Sequence, residues 1–340
     1  MSGRPSIPTL EDVAKTAGVS TATVSRCLNL PDQVNKTTRE RVMSAVNALG
    51  YTPNFGARVM AVKRTRTIGA IIPTMENAIF ARGIQAFQEE LHELGYTLLV
   101  SSTGYRPDVE DQQIRALVAR GADGLLLIGY DREPAIYEYL EGRNIPVLLA
   151  WAFQSENKQP AIGFDNRASM QLLCEKVWEL GHRRIGMISA IVKGNDRAKD
   201  RLQGVMDTVS AHGVDPATVP VIETPYDIEN GETAFKQMMS SDVTPTVVMC
   251  GNDVLAAGAL KGAREMGLRV PEDVSITGFD DIDVSRIVTP SLTTVHVPHR
   301  EMGRKAAKEL VAIVEGGDAA VSEELQISLR IRDSLGAPAE

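Results

Sequence analysis

Residues 9–29 read TLEDVAKTAGVSTATVSRCLN, and their pattern predicts two short helices around a glycine turn. Thr9 with Asp12 three residues on has the spacing of a capping box. Leu10, Val13, Ala14 and Ala17 recur at helical spacing and predict one buried face. Gly18 suits the left-handed turn that ends a helix. Ser20 suits the N-cap of a second helix over 21–28, with Val24 and Leu28 inward. A third helix is expected from Thr37 or Thr38, with a core stripe of Val42, Ala45, Val46 and Leu49 and a stop at Gly50.

Two short helices joined by such a turn make a helix-turn-helix. With the apolar positions assigned to the core, Thr21, Ala22, Ser25, Arg26 and Asn29 remain outside. The first residues of a second helix are those that reach base edges in the major groove. An arginine there can make the bidentate contact to guanine, and small hydroxyls suit phosphates. Charge agrees. Residues 1–66 carry a net charge of +6 and the remainder −14, within a total of −8. A basic head on an acidic body is the footprint of a nucleic-acid-binding module. The competing readings are a packing-only hairpin and a solvated basic tail.

From Ile68 onward, short β-rich runs alternate with helical patterns, which predicts parallel sheets. TIGAII at 67–72 is echoed by RIGMIS at 184–189, suggesting two similar subdomains with a cleft between them. The late runs LTTVHV and LQISLRI suggest that the chain crosses back. Ligands in such folds bind at the carboxyl ends of the strands. Those ends offer Ile79, Phe80, Ser102, Trp151, Asp165, Tyr226, Asn252 and Asp280, with Arg201 in the following helical pattern. Phe80, Trp151 and Tyr226 read as flat apolar platforms. Arg201, Asn252 and Asp280 read as hydrogen-bonding groups for hydroxyls or a carboxylate.

The motif at 9–29, followed by VNALGYTPNFGARVM, resembles the DNA-binding head of the lactose-repressor (LacI/GalR) family. The resemblance continues in IGAIIPTMENAIF, GADGLLLI, GHRRIGMI, GNDVLAAGAL and VPEDVSITGFDD. It implies a helix-turn-helix head over 1–52, a hinge helix and linker over 53–66, and a two-lobed effector-binding and dimerisation domain over 67–340. The expected fold class is thus an all-α head plus an α/β body of two doubly wound, periplasmic-binding-protein-like subdomains. The resemblance implies base contacts from Thr21, Ala22 and Arg26, and phosphate contacts from Ser20, Thr23, Asn29 and Tyr51. Cys27 stands where the family usually has an aliphatic residue, and reads as a small buried hydrophobe.

A helix over about 54–62 is too short to hold in isolation, so it is expected to form only when docked. By resemblance, Ala57 and Met60 meet the minor groove in a dimer. Met60 takes the wedge position where leucine is usual, and apolar wedges of several kinds unstack a base step. The same likeness supports Phe80, Arg201, Tyr226 and Asp280 as effector contacts. Trp151 departs from the aspartate common there. STGYRPDVEDQQI and IGFDN resemble the gluconate-responsive repressors of the family, which implies a sugar acid or sugar phosphate as effector.

The chain shows none of the nucleotide-binding or nucleophile-elbow glycine motifs, and no enzyme, cofactor or metal is expected. His296 and His299 read as structural. No apolar run approaches the length of a membrane span and the start shows no secretory h-region. Three scattered cysteines fit a reduced, cytoplasmic protein. The ending RDSLGAPAE lacks a heptad helix, so a homodimer on a pseudo-palindromic operator is expected. The function read here is a ligand-responsive repressor of a carbohydrate or sugar-acid operon. The alternative is a soluble two-lobed sugar-binding protein without a DNA role.

Overall fold

The computed structural model describes residues 8–52, 64–317 and 321–339. Two compact units appear, Met1–Thr65 and Arg66–Glu340.

The first unit holds α1 (Leu10–Ala17), α2 (Thr21–Asn29) and α3 (Lys36–Leu49). The capping box forms: Asp12 N donates to Thr9 Oγ1 and Thr9 N to Asp12 Oδ2. Gly18 and Gly50 both end their helices at φ +62°, a conformation cheap only for glycine. The third helix begins earlier than the spacing predicts, because the Asn35 side chain caps it by accepting from Thr38 N at 2.8 Å. Val13, Ala14, Ala17, Val24, Cys27, Val42, Ala45 and Val46 form the core.

The second unit is two lobes. Among the described residues, the first lobe has strands β1 (Thr67–Ile72), β2 (Thr97–Ser102), β3 (Gly124–Ile128), β4 (Val147–Ala150) and β5 (Ala161–Gly163). Its helices are α4 (Ala78–Glu93), α5 (Pro107–Ala119) and α6 (Pro134–Glu141). The second has β6 (Ile185–Ala190), β7 (Val221–Thr224), β8 (Val247–Cys250), β9 (Ser275–Asp280) and β10 (Thr293–His296). Its helices are α7 (Asn166–Glu179), α8 (Asp196–Ala211), α9 (Ile228–Met239), α10 (Asp253–Glu265) and the short α11 (Val284–Ile287). The chain then returns: α12 (His299–Glu315) packs on α4 of the first lobe, β11 (Glu323–Glu324) joins its sheet, and β12 (Ser328–Arg330) joins the other.

The sheet orders are β2-β1-β3-β4-β5-β11 and β7-β6-β8-β9-β10-β12. The echoed runs TIGAII and RIGMIS thus occupy equivalent positions. Among the described residues every pairing is parallel except β10–β12, which is antiparallel. That edge differs from the expectation of purely parallel sheets. The reason is that the second lobe's last strand arrives from the other lobe instead of through a helical crossover. Buried, near-continuous apolar strands such as Leu125–Leu127 are what a sheet covered on both faces requires. Where α4 and α12 cross, a Cβ on Gly303 would stand 2.1 Å from the carbonyl oxygen of Gly83, so only glycine permits that approach.

Candidate functional site

In the head, α2 presents Thr21, Ala22 and Arg26 to solvent. Ser20 accepts from Thr23 N at 3.2 Å, and the two hydroxyls bond each other at 2.9 Å. Their sharing of one proton leaves the other free to donate outward, as a phosphate contact needs. Tyr51 is half-buried against the head's core. Ala57, Met60 and the predicted hinge helix lie outside the described residues, as does the Asn29 side chain.

In the body, β1, β6 and β8 each lead into a helix capped by asparagine. Asn77 Oδ1 accepts from Ile79 N at 3.2 Å, Asn195 Oδ1 from Ala198 N at 3.4 Å and Asn252 Oδ1 from Leu255 N at 2.9 Å. An asparagine or aspartate between a strand and a helix is a local signal, so Asn77 and Asn195 were findable in the sequence beside Asn252. Both line a cavity of about 460 Å³, with Tyr105, Lys193, Tyr226 and Asp227 among its other walls. The Tyr105 and Tyr226 rings, one from each lobe, stand 6.1 Å apart. Burial raises both phenols above their ordinary range, keeping them neutral.

Of the expected effector contacts, Tyr226 lines this cavity. Ile79, Phe80, Trp151, Arg201, Asn252 and Asp280 are buried side chains outside its lining. Arg201 donates to Asn166 Oδ1 at 2.8 Å and to the Gly251 carbonyl at 2.7 Å, and stands 3.5 Å from Asp280 Oδ1. Its guanidinium lies 3.7 Å from the Phe279 ring centroid, a cation–π contact. Burial raises the Asp280 carboxyl above its ordinary range against the pull of Arg201.

The expectation that Phe80 and Trp151 are open platforms is corrected. The two rings meet edge to face at 5.5 Å, each at most 1% exposed. The Trp151 indole N–H donates to His299 Nδ1 at 3.1 Å. Trp151 has φ +61°, and its ring leaves no room for a side chain at position 83. Tertiary packing uses up both faces. Ser102 is exposed at an edge strand, and Asp165 caps α7. His296 bonds Asp281 at 2.8 Å, and Asp281 also binds Arg332.

Buried polar atoms without a hydrogen-bond partner concentrate here. Among the described residues they include Asn77 Nδ2, Ser189 Oγ, Asn252 Nδ2, Asp280 Oδ2 and His299 Nε2. Orphaned buried groups cost about 1–3 kcal/mol each and call for a bound partner. Backbone strain collects at the same strand ends: Tyr105, Trp151, Asp280 and Asp281 all have positive φ. No cluster of three or more His, Cys, Asp or Glu among the described residues is placed to hold a metal.

Comparison with known proteins decides the family. Residues 9–54 match the bacterial regulatory proteins of the lacI family, and residues 174–335 match the periplasmic binding protein-like domain. The HTH-type transcriptional repressor PurR of Proteus mirabilis (strain HI4320) is 35% identical over 306 residues, 89% of this chain and 89% of its own. The chain belongs to the LacI family. The HTH-type transcriptional repressor CytR of Escherichia coli (strain K12) is 34% identical over 91% of this chain and 90% of its own. A LacI-family regulator from Silicibacter pomeroyi superposes with TM-score 0.88 at 25% identity, covering 97% of this chain and 99% of its own. The lac repressor dimer bound to operator and the anti-inducer ONPF gives 0.84 at 27% identity, covering 96% and 98%. This LacI-family chain is a ligand-responsive, DNA-binding transcriptional repressor, with the helix-turn-helix head and two α/β lobes of that family. Its relatives are repressors, which are not enzymes. No described helix is long and apolar enough to cross a membrane.

Proposed function

We propose that this repressor is a cytoplasmic homodimer that controls a carbohydrate or sugar-acid operon. Its parts are a reading head over 1–52, a hinge over 53–66 and a sensor over 67–340. Ser20, Thr21, Ala22, Thr23, Arg26, Asn29 and Tyr51 of each head contact one half of a pseudo-palindromic operator, with Ala57 and Met60 at its minor groove. A two-fold dimer presents two identical heads, which is why the site is symmetric.

The effector of this reading is a sugar acid or phosphorylated sugar, met by Tyr226 on the cavity wall and by the strand-end groups Ile79, Arg201, Asn252 and Asp280; Phe80 and Trp151, packed on each other, are not among its contacts. The observation that carries it is the set of unpartnered groups at the strand ends. Unpartnered donors on Asn77, Asn252 and His299 outnumber the unpartnered Asp280 oxygen and the Ser189 hydroxyl, and Lys193 lines the cavity beside Glu76 and Asp227. Such a set suits a ligand with an anionic end and hydroxyls. Calorimetry on the full-length protein tests it, with gluconate-type acids and sugar phosphates beside neutral aldoses and purines. An acid or phosphate is expected to bind most tightly. A neutral aldose or purine binding more tightly than every acid and phosphate overturns the effector class and leaves the repressor standing.

A further inference from the structure

The loop after β3 reaches across the cleft to the start of α8. The backbone N–H groups of Tyr130 and Asp131 both donate to Oδ2 of Asp196, the second at 3.1 Å. Oδ1 of the same carboxylate accepts from the Arg197 backbone N–H at 2.8 Å and from its Nη1 at 2.7 Å. One turn along α8, Asp200 accepts from the Tyr130 hydroxyl. Gly129 has φ +73°, and a Cβ there would fall 2.1 Å from Arg197 Nη1 and 2.4 Å from Asp196 Oδ1. A side chain at 129 would need a left-handed backbone and would push the Arg197 and Asp196 side chains out of this contact.

A neutral bond, from Asn166 Nδ2 to the Trp151 carbonyl at 2.9 Å, is also buried between the lobes, but the contact at Asp196 involves a buried carboxylate. Arg82 pairs with Asp283, but that carboxylate is 77% exposed, and exposed pairs hold little. Asp196 is 4% exposed and Arg197 7%. A carboxylate so buried is tolerable only while its bonds are made, and two of its donors belong to the opposite lobe. When the lobes part, Asp196 and both amides must turn to water together. The contact is all-or-none, as a two-state element requires.

We propose that Tyr130, Asp196 and Asp200 form a latch that holds the sensor body closed with no effector bound, so that an effector meets a preclosed cleft. The consequence for effectors rests on the cleft reading above. The latch itself is tested without any ligand, so the two can fail separately.

The test is a pulsed electron-resonance distance measurement on the full-length, ligand-free protein, spin-labelled through Glu141→Cys in α6 and Glu229→Cys in α9. Cys27, Cys174 and Cys250 are buried and escape labelling. Dilution with unlabelled protein removes distances between protomers. The wild-type background is expected to give one narrow distance. Tyr130→Phe, which keeps the ring, and Asp196→Ala, which removes the acceptor of both opposite-lobe amides, are each expected to broaden it and shift it to longer separation. Gly129→Ala is expected to do the same by pushing the Arg197 and Asp196 side chains out of the contact. Melting curves check that each variant is folded. A wild-type distribution as broad as the variants', or one unchanged by both Tyr130→Phe and Asp196→Ala, overturns the latch.

Discussion

The indole N–H of Trp151 donates to Nδ1 of His299 across 3.1 Å, between residues 148 positions apart in the chain. An indole nitrogen can only donate, so Nδ1 is the acceptor and the imidazole proton sits on Nε2. That nitrogen stands 3.9 Å from Asp280 Oδ1 and makes no hydrogen bond of normal geometry. Burial first, then the nearby Arg201 charge, pushes the imidazole down to about 3. The contact with Asp280 is therefore between a neutral ring and a carboxyl group, and is no ion pair.

A pH dependence follows. The unfolded imidazole titrates at its ordinary 6.5 and the folded one at about 3. Between those values the unfolded chain holds a proton that the folded chain lacks. Stability of the body should therefore fall as pH drops through that window, by up to about 1.4 kcal/mol per pH unit from this one group. Above pH 6.5 the contribution is flat. Calorimetric unfolding from pH 7.5 to 4.5 should show a shallower decline in His299→Gln than in wild type. Parallel curves would show that His299 titrates normally in the folded protein.

Arg26→Ala should weaken operator binding by about 1–3 kcal/mol and relax one base position in each half-site. Footprinting and a binding-site selection measure both. Equal losses on every sequence would mean that Arg26 meets phosphate alone.

Arg201→Met removes the cation beside buried Asp280 and leaves a carboxyl without its partner. Breaking a buried pair in this way costs about 3–5 kcal/mol. Denaturant unfolding should show that loss in the body. At permissive temperature, operator binding should survive while acid binding by calorimetry disappears, because head and sensor are separate units. Retained acid affinity would remove Arg201 from the effector site.

Gly303→Ala places a Cβ against the Gly83 carbonyl. Overpacking of this kind costs about 1–3 kcal/mol, so the body's melting temperature should drop by several degrees. Ala at Gly18 is a useful contrast. Its Cβ would meet nothing within 4 Å, and only the left-handed φ of +62° is strained.

On the proposed reading, in which Met60 is the apolar wedge, Met60→Gly should weaken specific operator binding more than non-specific binding. Affinity on operator and on random DNA, compared at one salt concentration, is the measurement. Equal losses on both would deny Met60 a role in deforming the site.

The head was legible because its signals are local. A capping box, an N-cap serine, two αL glycines and a 3.6-residue period each act within one turn of the chain. The strand order's twofold echo was legible too, since TIGAII at 67–72 and RIGMIS at 184–189 share three of six residues in the same pattern and open β1 and β6. Asn252 at a helix start and Asp280 at a strand end could be placed in the fold because such positions are marked in the sequence. What the folded chain alone decided is who meets whom. Trp151 reads as a platform until α12 crosses back to the first lobe and brings His299 to its indole nitrogen. Nothing local around Asp196 shows that Tyr130 and Asp131 close on it from 66 and 65 residues away. Periodicity reports which side of an element is buried. It carries no information on which distant side chain will satisfy a buried polar group, and that choice belongs to the packing of the two lobes.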